Sequence, residues 1–168
     1  MIDAGYADMP IRKFEKQDLP EIIELVRATG VFKECEIQVA QELLEIAVDD
    51  PDQKDYIVYS YVMENGTIGG YYCSGSTPMT ASTYDLYWIA VHPLQQGKGI
   101  GYKLLQHCEN MIRSNSGSLI MVETSSLPKY DATRKFYLRN RYLEAAHVRD
   151  YYAPGDDLVV YSKHIQEV

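Results

Sequence analysis

The apolar positions of the chain change period several times, and each change marks an element. Ile11 to Phe14 alternate weakly, as a short first strand would. Leu19, Ile22, Ile23 and Val26 then recur at helical spacing. Asp18 stands as the N-cap before them, and Glu21 completes a capping-box-like pair. Thr29-Gly30 closes this helix. From about Glu34 to Val48 a second helix carries Ile37, Ala40, Leu43, Leu44 and Ala47 on one face, ended by Asp49-Asp50-Pro51-Asp52. Tyr56 to Met63 is rich in β-formers and reads as a strand. Glu64-Asn65-Gly66-Thr67 turns it back, Asn-Gly being a strong hairpin signal, and Ile68 to Ser74 returns. Gly69-Gly70 inside that strand marks a bulge or a close backbone approach.

A polar loop of small residues, Gly75 to Thr83, leads to the longest ordered signal in the chain, Tyr84 to Asn115. Tyr84 to Val91 is a buried strand, with Trp88 and Ile89 facing opposite sides of the sheet. After Pro93 and a glycine-rich turn, Ile100, Leu104, Leu105, Cys108, Met111 and Ile112 recur as an amphipathic helix. Beyond it come an apolar strand, Leu119 to Thr124, and a short helix, Asp131 to Arg139. Two strands follow, Leu143 to Tyr151 and Leu158 to His164, around Ala153-Pro154-Gly155-Asp156-Asp157. The order is β-α-α-β-β-β-α-β-α-β-β, an α/β chain. Its 168 residues are enough for one domain with a sizeable core, and no linker or repeat divides residues 1–168.

Composition narrows the function classes. The net charge of −8 leaves no basic face for a nucleic-acid backbone; it suits a cationic partner such as an amine, and equally serves solubility. No apolar run approaches the roughly 20 residues that span a bilayer. The start, MIDAGYADMPIRKF, lacks the basic and apolar regions of a secretory signal, so a cytoplasmic location is expected. Cys35, Cys73 and Cys108 are too scattered for a disulfide framework or a metal site.

The turn Gln95-Gln96-Gly97-Lys98-Gly99-Ile100-Gly101 carries the chemistry. A turn into a helix N-terminus points unpaired N–H groups outward, the helix dipole adds positive charge, and glycines let a ligand approach the backbone. Lys98 adds a cation. The turn therefore reads as an anion site for a phosphate, with an ordinary tight turn as the other reading. It is neither a Walker A loop nor a GxGxxG dinucleotide turn. Gln96 to Gly101 matches [QR]-x-x-G-x-[GA], follows IAVHP, and resembles the acetyl-coenzyme A loop of the GNAT superfamily of N-acetyltransferases. The element order is similar to that family's along nearly the whole chain. The resemblance implies the GNAT fold: a mixed, largely antiparallel sheet of about six or seven strands, splayed at the acetyl-coenzyme A site and flanked by about four helices.

The family likeness also implies roles. Ile89 and Val91 would offer backbone groups to the pantetheine arm, and Gln96, Gly97, Lys98, Gly99, Ile100, Gly101 and Tyr102 would hold the pyrophosphate. Tyr130 to Tyr142 is similar to the family's NxxAxxFYxxxGF element, which aligns Tyr137 with the tyrosine used as general acid towards the thiolate. Tyr130 replaces the motif's Asn, Thr133 its Ala and Arg141 its Gly, so Arg141 sits either in a different turn or in a strained one. Glu123 and Asp85 are the two candidate bases for the amine, Glu123 preferred. The implied activity is direct acetyl transfer to a primary amine of a small molecule or a peptide or protein N-terminus. A non-catalytic acyl-coenzyme A sensor on the same fold is the alternative. An apolar last strand at a sheet edge would open a route to a homodimer.

Overall fold

The computed structural model describes residues 10–50 and 52–165. Most of the stretch read for a secretory signal, residues 1–9, and Pro51 after the second helix lie outside them. The elements are β1 (Ile11–Lys13), α1 (Leu19–Ala28), α2 (Glu34–Asp49), β2 (Ile57–Val62), β3 (Ile68–Ser76) and β4 (Thr83–Val91). They continue with α3 (Ile100–Ser114), β5 (Leu119–Ser125), α4 (Asp131–Arg139), β6 (Leu143–Ala153) and β7 (Asp156–His164). Seven strands form one sheet in the order β1-β2-β3-β4-β5-β7-β6. Every pairing is antiparallel except β4 with β5. The last strand is therefore inside the sheet, between β5 and β6. The edge is β6, exposed along its length, so the expectation of pairing through an apolar last edge strand is corrected.

The helices cover both faces, and each face has its own core. Leu25 and Val26 of α1 and Ile37 and Leu44 of α2 pack against Val58, Tyr71 and Cys73 on one side. Leu104, Leu105 and Ile112 of α3 and Tyr137 of α4 pack against Tyr72, Leu86, Ile120 and Tyr161 on the other. Burial of these stripes, at about 25 cal/mol per Å² of apolar surface, drives the layering. Gly69 and Gly70 serve both purposes expected of them. Gly69 is the extra residue where the β2–β3 register shifts, and a Cβ on Gly70 would lie 2.8 Å from the Ala90 carbonyl and 2.9 Å from Leu104. The apolar stripe of α3 is wider than the sequence pattern drew it. Glu109 is only 3% exposed, because Lys163 of β7 pairs with it at 2.8 and 2.9 Å.

Two local expectations are revised. Asp18 precedes α1 but does not cap it, since Pro20 removes a donor from the first turn. Its buried carboxylate instead takes both guanidinium nitrogens of Arg12, at 2.7 and 2.8 Å, and the Ser60 hydroxyl at 3.2 Å. Burial alone would raise its pKa; the hydrogen bonds from Arg12 and Glu15 and the Arg12 charge outweigh that and hold it below the usual carboxylate range. Glu21 reaches not back to Asp18 but to the Ile68 N–H, at 2.8 Å.

Arg141 resolves the question of the missing glycine. It stands at φ +67°, the left-handed conformation. The Tyr142 N–H bonds the Tyr137 carbonyl and the Arg141 N–H bonds the Leu138 carbonyl, both at 3.1 Å. This pair is a Schellman end for α4. Tyr142 and Tyr137 make its apolar contact, with ring centroids 5.4 Å apart. The turn geometry is kept and a bulky residue occupies it. Arg141→Gly is expected to stabilise the fold by about 1 kcal/mol, raising Tm by about 2–4 °C in thermal unfolding.

Candidate active site

The central strand is built to part from its neighbour. Along β3, Cys73 pairs with Trp88 and Ser74 with Leu86, so Tyr87 is an extra residue, a β-bulge in β4. The bulge reverses which side chains face which core: Tyr84 and Leu86 face the α3 side before it, Ile89 and Val91 after it, while Trp88 faces α1 and α2. β4 and β5 pair only at Thr83–Leu119, Tyr84–Ile120 and Asp85–Met121. From Leu86 to Val91 the β5-facing edge of β4 has no strand partner among the described residues. A second, extended backbone fits such an edge.

On one side of this opening lies a groove of about 470 Å³ floored by the glycine turn. Gly97 and Gly99 have φ +76° and +81°, which only glycine adopts at low cost, and a Cβ on either would meet open space. Gly99 caps α3, so the first N–H groups of that helix face the groove without helical acceptors. Gly101 differs. Its Cβ would touch Phe136 and Val91 at 3.5 and 3.6 Å, ordinary contact, so no neighbouring protein atom requires glycine there. The open cradle, the helix N-terminus and the small floor fit a phosphate group.

The wall residues differ partly from the sequence expectation. Ile89, Val91, Gln96, Gly97, Gly99, Ile100, Gly101 and Tyr102 line the groove. Lys98 does not; its ammonium donates to Gln95 Oε1 at 2.9 Å. Gln96 Nε2 donates to the Val91 carbonyl at 3.1 Å, which occupies one of the two backbone groups of Val91. The cation on the wall is Arg139, with Phe136 of the same helix, α4, and Asn140 just past its end beside it. Sequence reasoning missed Arg139 because it follows the FY pair with nothing to mark it, although its place one turn after Phe136 puts it on the same helix face.

On the other side lies a cleft of about 320 Å³. Ile89 and Thr133 line both spaces, so the two meet at the opening between β4 and β5. Thr133 is the residue that replaces the motif's alanine. Glu123 enters the cleft from β5, two residues beyond the last β4–β5 pair, with no hydrogen bond or ion pair among the described residues. Tyr137 enters from α4, 3% exposed, packed on Phe136 and Tyr142 at 5.4 Å and on Tyr161 at 6.2 Å. Its hydroxyl has no hydrogen-bond partner among the described residues. Burial, and secondarily Cys108, push its pKa above the ordinary tyrosine value, so the phenol stays protonated.

Asp85 is not brought to the cleft. It sits in the last closed pair of β4 and β5, where it accepts the Thr77 hydroxyl at 2.7 Å. Tyr130, in place of the motif's asparagine, is buried against Phe32 at 6.5 Å and donates to Glu36 at 3.4 Å. Trp88 is both core and cleft wall, with the Phe32 ring packed at a tilt, centroids 4.7 Å apart. Among the described residues no group of His, Cys, Asp or Glu could hold a metal ion, and no helix is long and apolar enough to cross a membrane.

A protein-family model described as an acetyltransferase (GNAT) domain matches residues 54–142, the stretch from before β2 through the end of α4. The chain belongs to the GNAT acetyltransferase family. Solved GNAT-fold structures extend the match along the chain. One described as an acetyltransferase of the GNAT family from Desulfovibrio desulfuricans superposes with a TM-score of 0.87, at 35% identity over 93% of this chain and 98% of that one. An aminoglycoside 6′-N-acetyltransferase complexed with coenzyme A gives a TM-score of 0.74 at 15% identity, over 95% of this chain and 99% of that one. The ribosomal-protein-S18-alanine N-acetyltransferase from Escherichia coli gives 0.72 at 19%, over 94% of each. The last two show the shared GNAT fold alone. No curated protein matches the chain. As a GNAT acetyltransferase the protein is an acyltransferase, and its two connected spaces lie on either side of the splay between β4 and β5.

Proposed function

We propose that this GNAT protein transfers the acetyl group of acetyl-coenzyme A directly to a primary amine of a small molecule or a peptide terminus. The observation that carries the reading is the junction at Ile89 and Thr133. It joins an anion cradle at the α3 N-terminus to a cleft that holds a carboxylate and a buried phenol. Acetyl-coenzyme A, when bound, supplies the activated acyl group.

The chain's own residues have separate tasks. The N–H groups of Ile100, Gly101 and Tyr102, with Arg139 nearby, hold the pyrophosphate. The free edge of β4 around Ile89 and Val91 pairs with the pantetheine arm as an added strand would. Glu123 takes one proton from the acceptor's ammonium, directly or through water, so that the neutral amine attacks; the second proton, lost from nitrogen as the amide forms, restores the one that Tyr137 gives up. Tyr137, kept neutral by burial, gives its proton to the departing sulfur. Asp85, held by Thr77 outside the cleft, has no part in this scheme. The free thiols of Cys35, Cys73 and Cys108 suit a reducing, cytoplasmic setting.

The two carboxylates give a paired test. Glu123→Gln is expected to lower kcat by about 100-fold, measured as thiol release at saturating acetyl-coenzyme A. Asp85→Asn, which keeps an oxygen acceptor for Thr77, stays within about twofold of the parent protein. The reverse ranking would move the base to Asp85 and discard the role given to Glu123.

A further inference from the structure

The cleft carries more negative charge than activating one amine requires. A general base needs a single carboxylate. Besides Glu123, Glu36 enters from the first turn of α2 and Asp156 from the start of β7. Both are held in place. Glu36 accepts the Lys33 backbone N–H at 2.6 Å, and Asp156 accepts the Ser125 hydroxyl at 2.5 Å. Lys33 and Lys129 also reach the cleft, yet neither forms an ion pair with these carboxylates among the described residues. The Lys129 ammonium is committed to the Val31 carbonyl, at 2.5 Å.

The three carboxylates line the same cleft, beside Tyr152. Burial first, then the charges of Glu123, Tyr151, Asp156 and Glu36, push the Tyr152 hydroxyl up to about 12. Aromatic rings and aliphatic side chains such as Val39, Leu43 and Leu127 make up much of the remaining lining. Phe32 packs at a tilt on Trp88 and meets Tyr130 edge-on, and such faces take an alkyl chain and attract a cation. The carboxylates are not the whole of the feature. They line an open cleft of about 320 Å³, and the partnerless hydroxyl of the buried Tyr137 belongs to the same lining.

Resting on the acetyltransferase reading above, we propose that the acceptor is a small diamine or polyamine. One amine stands at Glu123 for transfer, and a second, charged ammonium is held by Glu36 and Asp156. An alkyl chain lies between them against the aromatic wall. A free carboxylate on the acceptor would face three like charges, so amino acids are disfavoured.

The test compares α,ω-diamines with n-alkylamines and ω-amino acids of the same chain lengths, by thiol release at saturating acetyl-coenzyme A. Diamines are expected to exceed the matched monoamines about tenfold or more in kcat/KM, with ω-amino acids the poorest. Glu36→Gln keeps the acceptor for the Lys33 N–H and removes the charge, so the diamine-to-monoamine ratio falls about tenfold, mainly through KM. Asp156→Asn, which keeps an acceptor for Ser125, gives the same fall if Glu36→Gln does not fold. Equal use of diamines and monoamines, a preference for ω-amino acids, or a ratio unmoved by both variants overturns the diamine proposal and leaves the acetyltransferase reading standing. Binding of coenzyme A with no thiol release to any amine overturns that reading, and the diamine proposal with it.

Discussion

Tyr137→Phe is expected to lower kcat by about 10²–10³-fold while leaving the Kd for coenzyme A within about threefold. The ring is what the fold uses. It packs on Phe136, Tyr142 and Tyr161, and phenylalanine keeps all three contacts. The hydroxyl is bonded to none of the described residues, which leaves it available for the proton transfer proposed above. Removing it therefore separates the two roles. The pH profile adds a check. Burial raises the phenol above its ordinary value near 10, so it remains an acid through neutral and mildly alkaline pH. Any alkaline limb seen below about pH 10 belongs to another group and persists in the variant at its lower rate.

Gly101→Trp is expected to abolish the thermal shift that coenzyme A gives the parent protein, a loss of about 100-fold or more in affinity, or about 3 kcal/mol. Gly97 and Gly99 are less discriminating sites, because their positive φ penalises any side chain before a ligand enters the question. Gly101 has no such penalty. A Cβ there meets Phe136 and Val91 at ordinary contact distance, so Gly101→Ala, in the first turn of α3, is expected to fold and to gain about 0.5–1 kcal/mol. The indole of Gly101→Trp points the penalty at the groove rather than at the fold. Circular dichroism and Tm report the fold, and the coenzyme A shift reports the groove. A shift equal to the parent's would mean that the groove at the α3 N-terminus is not the cofactor site.

The two predictions rest on features of unequal legibility. The strand, glycine turn and helix from Tyr84 to Asn115 are contiguous, and contiguous patterns of period and turn residues can be read directly. Tyr137 was legible through its neighbours, because Phe136-Tyr137 and Tyr142 hold motif spacing even where Arg141 departs from it. Arg141 itself shows a limit. A glycine-like φ of +67° is imposed by the Schellman hydrogen bonds at the end of α4, which outweigh the residue's own preference. The bulge at Tyr87 leaves no mark on the local sequence; it appears only in the register between β3 and β4.

The acceptor side was the least legible part, for a geometric reason. Phe32, Glu36, Tyr152 and Asp156 come from elements far apart in the chain, and only the closed sheet with α2 against it brings them to one cleft. Asp85 and Lys98 mislead in the opposite way. Each has the right charge near the right strand or turn, yet Asp85 is bonded to Thr77 and Lys98 to Gln95. The N-cap at Asp18 failed because Pro20 removed a donor and Arg12 offered a stronger, charged partner.

The central claim is that the groove and the cleft are two halves of one acetyl-transfer site joined at Ile89 and Thr133. Its most direct measurement is single-turnover thiol release from acetyl-coenzyme A bound to the protein, started by adding a short diamine, with the product weighed by mass spectrometry. The account predicts one thiol and one monoacetylated diamine per bound cofactor, and a rate that falls by about 10²-fold or more in Tyr137→Phe. Bound acetyl-coenzyme A that releases no thiol to any amine, or that does so equally fast without the Tyr137 hydroxyl, would contradict it.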